Sequence, residues 1–124
     1  MRYMMIIKGD ESFSASGPPP QELIEEIGRL GEAAAKAGKI VSMGGLKPSS
    51  EGAKVSIKNG KLSVTDGPFT EAKEMIGGFT IMNLKSKAEA IEEARKFMEL
   101  HRKLWPKWDG TCEVRLMYEE GEHP

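Results

Sequence analysis

Tyr3-Met4-Met5-Ile6-Ile7 places five large apolar side chains in succession, closed by Lys8-Gly9-Asp10. A run this short reads as a β-strand, and strand side chains alternate between faces. Both faces of this strand are therefore apolar and both need cover. Everything else in the chain is read by asking what supplies the two covers.

The residues downstream offer helices for one of them. Residues 11–17 are polar and loop-like, and Pro18-Pro19-Pro20 leads into a helix, proline being tolerated in a first turn. Residues 21–37 carry Leu23, Ile24, Ile27, Leu30, Ala34 and Ala37 at helical spacing, and Gly38 supplies the stop. Residues 39–46 read as a second strand, followed by a loop through Glu51. Residues 53–66 then alternate, with Val55 and Ile57 before Asn59-Gly60 and Leu62 and Val64 after it. Asn-Gly between such runs predicts a type I′ hairpin that pairs Ile57 with Leu62 and Val55 with Val64.

Residues 75–84 form another strand, with a bulge or close contact expected at Gly77-Gly78. Ser86 and Glu89 have the spacing of a capping box. Ile91, Ala94, Met98, His101 and Trp105 make one stripe of the helix that follows, which Pro106 ends. Residues 111–118 close the chain as a strand, Cys112, Val114, Leu116 and Tyr118 facing one way and Glu113, Arg115 and Met117 the other. The order is β-α-β, hairpin, β-α-β: an α+β, ferredoxin-like plan in a single domain spanning residues 1–124, with a hairpin inserted before the third core strand.

Two helices cover one face of a four-stranded sheet. The opposite face, with half of residues 3–7 and of Phe79-Thr80-Ile81-Met82, stays open. Exposing such side chains forfeits about 1.5–3 kcal/mol each. A second copy of the chain, or the hairpin folded back across the sheet, would cover them, and the homodimer is the reading adopted.

Composition narrows the function. Eighteen basic residues against nineteen acidic ones leave a net charge of −1, without the basic stripe that nucleic-acid binding uses. The lone Cys112, in an alternating apolar run, reads as an inert thiol. No apolar stretch reaches membrane-span length and no secretion signal opens the chain, so cytoplasmic residence is the expectation. No P-loop, dinucleotide fingerprint or metal-ligand spacing occurs, and neither cofactor nor metal is expected.

Asp66 is the residue with the strongest case for chemistry. It shares a side with Leu62 and Val64, so its carboxylate is directed with the apolar face. It either lines a cleft or accepts backbone N–H groups of the Asp66-Gly67-Pro68 turn. Lys73 lies close in sequence and would stabilise that carboxylate or an anionic ligand. Arg115, on the open side of the last strand, needs an anionic partner such as Glu113 or a ligand. His101 is the one imidazole within the folded region and serves either as a proton shuttle or as a packed core residue.

The run Asp66-Gly67-Pro68-Phe69-Thr70-Glu71-Ala72-Lys73-Glu74, followed by Ile76-Gly77-Gly78-Phe79, resembles the signature of the DGPF branch of the YCII-related family. The opening strand, the Ala90-Ile91-Glu92-Glu93-Ala94 helix and Glu113-Val114-Arg115 fit the same pattern. The resemblance implies a dimeric α+β barrel. It also implies a catalytic histidine–aspartate pair, with Asp66 as the aspartate and Phe69 beside it in a ligand site; one branch is associated with dehydrochlorination of aromatic rings. The family's histidine falls in the first helix, and residues 21–37 contain none. Association with an extracytoplasmic-function sigma factor, as an accessory module, is the second role implied.

Overall fold

The computed structural model describes residues 1–9, 18–69 and 74–124. Its elements are β1 (Arg2–Gly9), α1 (Gln21–Lys36), β2 (Ile40–Gly45), a 3-10 turn (Ser49–Glu51), β3 (Ala53–Lys58), β4 (Lys61–Asp66), β5 (Met75–Asn83), α2 (Lys87–Leu104) and β6 (Gly110–Leu116). Four strands form an antiparallel sheet in the order β2-β5-β1-β6, and β3-β4 form a separate two-stranded ribbon. The apolar run thus occupies an inner strand, with β5 on one side and β6 on the other, as its two apolar faces require. This is the α+β, ferredoxin-like arrangement expected from the sequence.

Alternation divides β1 cleanly. Tyr3 and Met5 are buried in one cluster with Met82, Leu84, Ala90 and Ala94, and Ile40, Cys112 and Val114 pack against it. Residues of α1, α2 and four strands line an apolar interior space of about 60 Å³ there, room for a few water-sized molecules. Met4 and Ile6 point to the other face. In register they sit beside Ile81 and Phe79 of β5 and beside Arg115 and Glu113 of β6. These four apolar side chains are only half-buried, because no helix lies over them.

The hairpin has the register that Asn59-Gly60 dictates: Ile57 opposite Leu62, Val55 opposite Val64, and Lys58 opposite Lys61. Both turn residues take positive φ, 52° and 76°, the conformation a type I′ turn needs and glycine adopts freely. The ribbon does not fold across the open sheet face. Val55, Ile57, Leu62 and Val64 share one of its faces and are between 70% and 74% exposed. Gly77 is the bulge residue, since Ile7 pairs with Gly78 while Lys8 pairs with Ile76.

One expectation needs correction. The buried side of α2 carries Ala90, Glu93, Ala94 and His101, whereas Ile91 is 41% exposed. Ala94 and His101 of the expected stripe are buried, and Glu93 enters the interior beside them as an ion-paired carboxylate. Its Oε1 accepts from Lys39 Nζ at 3.0 Å and lies 3.4 Å from Lys96 Nζ. Burial alone raises this carboxyl group's pKa, but the two ammonium groups and their hydrogen bonds outweigh it and hold the pKa below the usual value. The start of α2 is capped as expected, Ser86 Oγ accepting from the Glu89 N–H at 3.1 Å.

Candidate functional site

At the root of the ribbon the chain turns sharply. The Gly67 N–H donates to the Gly52 carbonyl at 2.9 Å, and the Phe69 N–H donates to Ser49 Oγ at 3.0 Å. Pro68 lies between them after a cis bond and has no N–H to give. The approach is so close that a Cβ at Gly67 would fall on the Ser49 carbonyl oxygen, which explains why glycine stands there. Buried Ser49 is therefore the post around which the segment is wound.

Among the described residues Asp66 meets neither expectation: it is not tied to the turn amides and it does not line a cleft. The two described amides that follow it, those of Gly67 and Phe69, are committed to Gly52 and Ser49. Asp66 ends β4 opposite Ala53, is exposed, and has no hydrogen-bond or ion-pair partner among the described residues. A groove of about 570 Å³ opens beside Ala53, the cross-strand neighbour of Asp66, lined by Leu46, Lys47, Lys54, Phe69, Glu74 and Ile76 among others; Asp66 itself does not line it. Lys54 Nζ stands 4.3 Å from the centroid of the Phe69 ring, a cation–π contact that orients both. The groove thus combines an aromatic plate, aliphatic walls, the ammonium groups of Lys47 and Lys54 and the carboxylates of Glu51 and Glu74.

The remaining candidates lie apart from it. His101 is buried near the C-terminal end of α2 and does not line the groove. Its ring lies 4.6 Å from those of Phe97 and Trp108, and its Nδ1 is 3.0 Å from the Phe97 carbonyl oxygen. Burial lowers its pKa, an effect the Phe97 hydrogen bond opposes in part. Arg115 is exposed on the open sheet face and pairs with Glu113 at 3.1 Å. Lys8, one diagonal step across the sheet, reaches Glu113 Oε1 at 2.6 Å, and both cations hold the Glu113 pKa down, Lys8 more strongly. Lys73 lies outside the described residues. Sequence reading passed over Lys47, Ser49 and Lys54. Their only signal was position, since they flank the loop that the ribbon turns back on.

Cys112 sits half-buried on the helix-covered face, and burial pushes its thiol up to about 11. A raised thiol pKa means less thiolate at every pH below it, about a hundredfold less here than at the ordinary value. Alkylation of the native protein by iodoacetamide at pH 8 should accordingly run at least about tenfold slower than in urea. Equal rates followed by mass spectrometry would show that the side chain is not packed as described.

Among the described residues no helix is long and apolar enough to cross a membrane, and no three His, Cys, Asp or Glu side chains gather as a metal would require. No curated protein matches the chain. The model of the YCII-related domain matches residues 1–99, which take in β1, both helix starts, the ribbon and the whole segment that winds around Ser49. On that match, covering most of the molecule, the chain belongs to the YCII-related domain family.

Proposed function

We propose that the protein is a homodimer of the DGPF branch, a dimeric α+β barrel, which binds and transforms a small organic molecule in the groove at the root of the ribbon. Asp66 is the acid/base group or hydrogen-bond acceptor of that site. The reading is supported by the commitment of the Gly67 and Phe69 amides to Gly52 and Ser49 and by the pairing of exposed Asp66 with Ala53, which lines the groove. Phe69 offers a plate for an apolar or aromatic body, and Lys47 and Lys54, set among the carboxylates of Glu51 and Glu74, offer polar partners for its substituents. Lys73 enters the proposal by its closeness to Asp66 in sequence alone. Arg115 and Lys8 present a surplus positive charge on the sheet face that meets the second copy. His101 supplies an imidazole only if ligand binding reaches the end of α2. The free thiol accords with cytoplasmic residence.

A second reading, an accessory module for an extracytoplasmic-function sigma factor, draws on the uncovered apolar face of the ribbon, which a foreign protein could also use. The two readings separate by experiment. Small aromatic and aliphatic carboxylates are to be screened by thermal shift against the unaltered protein and Asp66→Asn. A ligand present at a hundred times its Kd stabilises the protein by about 2.7 kcal/mol. The expected result is a shift in the unaltered protein that is lost in Asp66→Asn. An equal shift in both would remove Asp66 from the site.

A further inference from the structure

The helix-covered side of the sheet holds a space of its own. It is the interior space of about 60 Å³ between α1, α2 and the sheet, and it shares no lining residue with the groove at the root of the ribbon. Its walls are apolar, Met5, Met82 and Phe97 among them. The exceptions are Thr80, Cys112 and Glu93, whose carboxylate is already engaged by Lys39 and Lys96. No buried side-chain nitrogen or oxygen among the described residues lacks a hydrogen-bond partner, so no wall calls for water. Such a space stays dry and takes apolar guests. One wall is Gly31, inside α1. Alanine is the better helix former there, and a Cβ at this position would meet only the Met43 methyl, at 3.9 Å, an ordinary contact. Packing therefore does not require the glycine, and its missing side chain enlarges the space. Met43 lines the space from the edge strand β2 and is 53% exposed, so the space opens to solvent at that edge.

We infer that this space is a binding site for a short aliphatic chain, which enters at the β2 edge and leaves any polar head at the Met43 rim. A water-sized unit takes about 10–15 Å³ by this measure, so the space of about 60 Å³ accommodates a chain of about four to six carbons. Ile7 and Thr80 belong to inner strands and face the helices, yet they are only half-buried, as residues bordering such a site are. The methionines of the wall are unbranched and adapt to a guest of irregular outline. A charged group inside would find no free counter-charge, since Glu93 is committed, and this selects for the apolar end of a ligand. The site uses neither Asp66 nor the open sheet face, and so stands apart from the groove and from the homodimer.

The test uses the full chain labelled with ¹³C at the methionine methyl groups and titrated with n-alcohols from propanol to octanol. Met5, Met43 and Met82 line the space, whereas Met98 and Met117 do not and serve as internal references. The expected result is a saturable shift of the first three signals, with a Kd that falls about fourfold for each added methylene. The fall should stop at about four to six carbons, where the space is full. Equal shifts of all the methionine signals, a Kd that keeps falling through octanol, or no saturable shift would each overturn the site. Gly31→Ala, which should also raise the melting temperature, is expected to weaken pentanol binding at least about threefold, and Gly31→Leu to abolish it. Pentanol binding left unchanged by Gly31→Ala, whether or not the larger variant folds, would likewise overturn the assignment.

Discussion

Truncating Met5 to alanine is expected to lower the unfolding free energy by about 2–5 kcal/mol, read as a fall in the urea midpoint at unchanged slope. Met5 is buried in the cluster under the helices and lies between Thr80 and Val114 in register. Met5 lines the interior space of about 60 Å³, which truncation would enlarge, so lost contacts and added cavity both weigh against the folded state. Met4, its neighbour in sequence, faces the other way, between Ile81 and Arg115. The same truncation there should cost the protomer well under half as much, with any further loss depending on protein concentration. Equal, concentration-independent losses at the two positions would mean that the sheet is covered on both sides within one chain.

The second large effect concerns association. Ile6 lies at the centre of the open face, in register with Phe79 on one side and Glu113 on the other. Replacing it by glutamate puts a carboxylate where the account places a dry contact between two sheets, and the twofold axis doubles the insult. Burying unpaired charge of this kind costs several kcal/mol, so the dimer should dissociate at least about a thousandfold more readily. The variant protomer keeps its helix-covered core and should retain its far-ultraviolet circular dichroism. A variant that dimerises as tightly as the parent would relocate the interface.

Much of this architecture was legible because local rules agree with the global fold. The apolar run of β1 required cover on both faces and took an inner position; Asn59-Gly60 fixed the ribbon register to the residue; Gly77-Gly78 gave the bulge. Of the stripe expected on α2, Ala94 and His101 are buried and Ile91 is exposed. Apolar periodicity cannot register Glu93, whose burial depends on Lys39 arriving from the far end of α1. The site was legible in part. Alternation gave the direction of Asp66, but its availability depends on hydrogen bonds between residues far apart in the chain, Gly67 to Gly52 and Phe69 to Ser49. Nor does any local pattern say that Lys54 will lie over Phe69. Arg115 was expected to seek an anion and found Glu113, while the second cation, Lys8, emerges only once β1 and β6 are placed side by side.

The account stands on the uncovered side of the sheet meeting another copy of the same molecule. Sedimentation velocity of the unaltered protein over a wide concentration range addresses this most directly. The account predicts a species of twice 13.6 kDa that persists on dilution into the micromolar range. A compact, cooperatively folding 13.6 kDa species at the highest attainable concentration would contradict it.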